Sequence, residues 1–135
     1  MTVADWLARR GMALPARAGD ECRLADGDGR ELILTAGAAA GEWLLLARAG
    51  PCPPAPGAGT LLLLLQLNSP FSDLAPMRLT ADGAGELLLW IGIADGGAAG
   101  PALDAACHTL ALGQDCLARV LRDAARAPVT AHGWL

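Results

Sequence analysis

Cys107 and His108 sit side by side, a thiol next to an imidazole. Such a pair suits a thiolate nucleophile with its base, or two ligands of a metal ion. The spacing defeats both. Adjacent side chains leave a helix ~100° apart, so the two cannot easily share one ion. Cys107 also falls on the apolar stripe of its segment, where thiols are usually inert. His132 lies past Pro128 in a short tail that is expected to fray. Ser69 and Ser72 lack the GxSxG setting of an esterase nucleophile. Asp26-Gly-Asp-Gly29 and Asp82-Gly-Ala-Gly85 have the flavour of calcium loops, but neither continues into further ligands and a closing Glu. Both read as tight turns. Gly96-Gly97 and Gly100 lack the lysine of a phosphate loop. Cys22, Cys52, Cys107 and Cys116 contain no CxxC pair and are expected to be free thiols in a reducing compartment. No catalytic residue, metal site or cofactor is therefore expected.

Charge narrows the partners. The formal net charge is −4 and all ten basic residues are Arg, scattered except for Arg9-Arg10. Nucleic acid needs a clustered basic footprint, and an anionic membrane surface needs the same. Neither is indicated. The longest leucine run, Leu61–Leu65, is far short of the ~18 apolar residues of a membrane span. Asp5, Arg9 and Arg10 interrupt the first apolar segment, so no secretory signal is read there. The default compartment is the cytoplasm. At 135 residues the chain fits one domain, 1–135, with an apolar fraction of 53% that is too high for disorder.

The elements follow from patterning. Thr2 and Asp5 form a capping-box pattern that opens a helix through Met12 or Leu14, with Val3, Trp6 and Leu7 at helical spacing and Gly11 and Pro15 to end it. Glu21–Ala25 and Arg30–Thr35 flank the first Asp-Gly turn as a hairpin, and Glu42–Arg48 reads as a third strand. Residues 49–59 hold four of the nine prolines, and no strand or helix is expected there. LLLLLQLN at 61–68 holds six leucines in eight residues, strong helix formers, and none of the eight is β-branched. Met77–Ala81 and Glu86–Ile93 flank the second Asp-Gly turn. Pro101 opens a final helix that runs to Ala127, with Leu103, Leu110 and Leu117 recurring every seven residues. The order is α-β-β-β-α-β-β-α, an α+β fold.

A helix of Leu61–Leu67 is apolar around nearly its whole circumference and needs cover on both sides. A second copy of the chain is the simplest source of that cover. Trp6 and Leu7, with Leu32, Leu34, Trp43 and Leu45 on the first sheet, could line a groove for an added peptide strand. Any one of these residues reads first as ordinary core, because side chains alternate and the strand register is open, with Trp6 and Trp43 the stronger groove candidates for their large contact area.

LLLLLQLN, then MRLTADGAGELLLWIGI, then a long C-terminal helix, together resemble the class I type III secretion chaperones of the CesT/Tir family. Members carry a similar LL-x-LN helix and a hairpin with the pattern that Leu79, Asp82, Gly85, Leu87 and Leu89 supply here. The resemblance covers nearly the whole chain and implies a twisted antiparallel sheet with helices packed on it, a homodimer and no catalysis. The implied dimer interface is the second helix with an adjacent strand: Leu61, Leu62, Leu63, Leu64, Leu65 and Leu67, with Leu79, Leu87, Leu89 and Ile91. The implied partner is the unfolded N-terminal segment of a secreted effector, delivered to the secretion ATPase, with the client bound at the groove residues named above. The proline-rich 49–59 stretch and the four tryptophans depart from the family pattern. A scaffold or regulator of the same fold that binds folded partners is the alternative. A small thioesterase-like enzyme is a third reading, but it needs a polar residue at the dimer groove and none is well placed.

Overall fold

The computed structural model describes residues 1–14, 20–55 and 57–126. The elements are α1 (Val3–Ala8), β1 (Cys22–Ala25), β2 (Glu31–Ala36), β3 (Glu42–Pro51), α2 (Ala58–Leu67), β4 (Arg78–Ala81), β5 (Glu86–Ala94) and α3 (Ala99–Arg126). This is the order that the sequence predicts. The five strands form one antiparallel sheet in the order β1-β2-β3-β5-β4.

Local chemistry sets the boundaries. The Thr2 hydroxyl accepts from the Asp5 N–H at 3.2 Å, and the Asp5 carboxylate accepts from the Thr2 N–H at 3.0 Å, completing the capping box. That exchange holds the Asp5 carboxyl below the usual carboxylate range, the Thr2 backbone N–H being the main cause. α1 stops at Ala8 rather than at Met12 or Leu14. Gly11 adopts φ +71° and the Met12 N–H reaches back to the Leu7 carbonyl, a left-handed C-terminal stop.

The two Asp-Gly turns are built alike. Asp26 Oδ1 accepts from the N–H groups of Asp28 and Arg30, and Asp82 Oδ1 from those of Ala84 and Glu86. Gly29 and Gly85 supply the positive φ that closes each turn. Both side chains are spent on their own backbone.

The 49–59 stretch differs from expectation at both ends. β3 continues through Ala49 and Gly50 to Pro51, which pairs with Glu86 after a register shift between Arg48 and Pro51. A proline fits there because the ladder is already interrupted. α2 begins at Ala58, three residues ahead of the leucines.

α1 and α3 pack on one face of the sheet. Leu103, Leu110 and Leu117 of α3 are buried as their heptad spacing predicts, against Leu34, Leu45, Leu89 and Met77 in one apolar cluster. Gly113 permits the approach: a Cβ there would meet Met77 Cε at 2.8 Å. Arg30 ties the first hairpin to α3 by donating to the Ala111 carbonyl, Gln114 Oε1 and Asp115 Oδ1. The Asp115 carboxylate in turn holds the Arg30 pKa above its ordinary value. The expected end of α3 at Ala127 and the tail at 128–135 lie outside the described residues.

Candidate functional site

α2 splits its leucines by angle. Leu64 and Leu67 turn into the core, while Leu61, Leu62, Leu63 and Leu65 are exposed, Leu65 at 66%. The helix therefore presents a broad unsatisfied apolar surface, as its sequence demands. Its C-terminal end is fixed by Asn68. The side-chain amide donates to the Leu79 carbonyl at 2.9 Å, and its oxygen accepts from the Leu79 N–H at 2.5 Å. One asparagine thus takes the place of a neighbouring strand along the outer edge of β4. Arg78 returns a bond to the Asn68 carbonyl at 3.0 Å.

Strand alternation sorts the other candidates. Leu32, Leu34 and Leu45 point to the helix-covered face and are buried, and Trp6 and Leu7 meet them there from α1. Trp6 also donates its indole N–H to Asp104 at 2.9 Å, with the Arg10 guanidinium stacked 3.5 Å from its ring. These five side chains are core in this structure and do not line an open groove. Trp43 is half-buried at the margin of the same cluster. Leu79, Leu87, Leu89 and Ile91 are likewise core. They belong to the buried cluster, so of the residues expected at a dimer contact only the four exposed leucines of α2 stand at the surface.

The opposite sheet face carries residues that the sequence reading passed over. Ile33, Leu46 and Trp90 lie on one rung, flanked by Arg23 and Arg78, with Leu44 and Leu88 beside them. None of these five apolar residues belongs to the helix-covered core. A signal was present: 43–46 and 87–91 are continuous apolar runs, the pattern of strands apolar on both faces.

β1 is an open edge, with no strand paired on its outer side among the described residues. The Asp26 N–H to Arg30 carbonyl bond fixes the alternation. Cys22 and Leu24 therefore bond inward to β2, and the N–H and C=O groups of Arg23 and Ala25 face outward.

Reactive groups are few. Asp26, Asp28, Cys107 and His108 border a hollow of about 190 Å³, but burial pushes the Cys107 thiol up, away from the thiolate. No cluster of three or more His, Cys, Asp or Glu side chains is placed to hold a metal among the described residues, and His132 lies outside them. No helix of the described residues is long and apolar enough to cross a membrane.

The chain is similar to one chain in the structure of the heterodimeric ExoU–SpcU complex from the type III secretion system of Pseudomonas aeruginosa. Identity is 37%, with 87% of this chain and 96% of that chain covered, at a TM-score of 0.74. It shares its fold with the Yersinia pestis type III secretion chaperone structure of SycH with a fragment of YscM2, at 18% identity, 84% and 93% coverage and TM-score 0.61. It also shares it with the HopA1–SchA chaperone–effector complex, at 20% identity, 85% and 88% coverage and TM-score 0.62. No curated protein sequence matches the chain significantly. The sequence profile of the Tir chaperone protein (CesT) family matches residues 3–112, most of the described fold. The chain belongs to the Tir chaperone protein (CesT) family.

Proposed function

We propose that this protein is a type III secretion chaperone, a non-enzymatic homodimer of the bacterial cytoplasm. It binds the unfolded N-terminal segment of a secreted effector, keeps it soluble and export-competent, and helps deliver it to the secretion ATPase. The likeness to a chain of the ExoU–SpcU complex along nearly the whole sequence carries this reading. The geometry supports it. The outward main-chain groups of Arg23 and Ala25 offer a template on which an extended client segment adds as a sixth strand. The rung of Arg23 continues through the buried Ile33 to the half-buried Leu46 and Trp90, an apolar row beside which client side chains can rest. Trp6, Leu7, Leu32, Leu34 and Leu45 hold that platform from beneath, and Trp43 lies at the margin of the same core. The exposed leucines of α2 supply the contact between subunits.

Co-expression with N-terminal fragments of secreted proteins encoded nearby tests the proposal. A soluble complex in which the fragment stays protease-sensitive is expected. Retention of folded partners and rejection of every such fragment would favour the scaffold reading instead. The binding edge has its own test in Arg23→Pro. Its N–H faces outward, so the substitution spares the β1–β2 ladder and removes a donor that the client needs. Client retention should fall about tenfold or more while the melting curve barely moves.

A further inference from the structure

α2, the 69–74 loop and the second half of α3 enclose a groove of about 430 Å³, lined by Leu63, Leu67, Phe71, Cys116 and Val120. A second hollow of about 370 Å³ adjoins it, bordered by Leu112, Asp73 and Arg119. Phe71 stands on the rim at 93% exposure, the most exposed of the large apolar side chains among the described residues. The loop that carries it is fixed. The Ser69 hydroxyl accepts from the Phe71 N–H at 3.2 Å, and the Ser72 hydroxyl accepts from the Leu74 N–H at 3.2 Å.

We propose that a second copy of this chain fills the groove, with the Phe71 of each copy entering the other between Leu63 and Leu67 of α2 and Cys116 and Val120 of α3. This rests on the homodimer reading above and adds α3 and the 69–74 loop to a contact that the family resemblance implies for α2 and a strand. Two observations favour a second copy as the occupant. A two-fold contact requires knob and socket on a single patch, and Phe71 borders the groove that would receive its counterpart. The rim is complementary to itself: Asp73 and Arg119 border the same hollow, and neither is ion-paired with another described residue. A two-fold axis there brings the Asp73 of one copy toward the Arg119 of the other.

Sedimentation velocity at micromolar concentration, with a thermal melt of each variant, decides the matter. Wild type should be a dimer and Phe71→Asp a monomer that keeps the wild-type far-UV spectrum and a cooperative melt, lowered only by the stabilisation that association supplies, because Phe71 is 93% exposed in its own subunit. Asp73→Arg and Arg119→Asp should each weaken the dimer roughly tenfold, and the double reversal should restore it. A maleimide should label Cys116 slowly in wild type and quickly in Phe71→Asp. A Phe71→Asp variant that stays dimeric with a fast-reacting Cys116 overturns this contact and leaves the homodimer standing on another face. A variant that stays dimeric but loses a client fragment assigns the groove to the client and also overturns it. A monomeric wild type removes the homodimer reading itself.

Discussion

At the scale of single residues, the least conspicuous polar side chains do most of the positioning. Asn68 ends the leucine run, and its amide closes two hydrogen bonds on Leu79 that a strand would otherwise make. Asn68→Ala should cost about 1–3 kcal/mol, the net worth of two such bonds. Asn68→Asp keeps the acceptor for the Leu79 N–H but sets a carboxylate against the Leu79 carbonyl, so it should be no better than alanine. Chemical denaturation of the two variants beside wild type checks this. Trp6 works in the same way between elements: its indole N–H reaches Asp104 while Arg10 covers its ring. Neither Asn68 nor Asp104 stands out by composition. Their roles depend on partners eleven and ninety-eight residues away, a relation that spacing along the chain does not show.

At the scale of elements, the leucine helix was readable and its facing was not. Its low amphipathicity shows in the residue types alone, but which leucines turn inward depends on where α2 docks against β4 and α3. The structure now separates them. Leu63→Glu places a charge on the outer surface and should give a folded, soluble monomer. Leu64→Glu buries an unpaired charge and should leave little folded protein. Circular dichroism with size-exclusion chromatography distinguishes the two outcomes. The strands show the same division. Hairpins and order followed from Asp-Gly turns and apolar runs. The sequence left Leu32, Leu34 and Leu45 between core and groove because a one-residue shift in register exchanges the two faces, and the structure buries all three. The continuous runs of β3 and β5 held the correction, since they place Leu44, Leu46, Leu88 and Trp90 on the uncovered side. Likewise, Pro51 could join β3 only because a bulge had already broken the ladder, which a proline count does not reveal.

At the scale of the whole molecule, the fold is a platform with helices on one side and apolar surface left over on the other and on α2. A chaperone built this way should gain stability from its client by mass action. At a free client concentration a hundred times Kd the gain is about 2.7 kcal/mol, roughly a 10 °C rise in Tm for a chain of this size. Differential scanning fluorimetry with a synthetic client segment measures it, and a flat Tm across the titration would remove strand addition as the binding mode.

The asparagine plug on β4 also has a bearing on polymerisation. Sheets string into fibrils when both of their margins can accept a neighbour, and here α2 and Asn68 seal one margin while β1 remains free. Ladder growth through β1 alone would stop at two copies, because Asn68 occupies the outward Leu79 groups on the far margin. A sheet that keeps one margin on offer for a client thus has no free second margin along which the same ladder can run on.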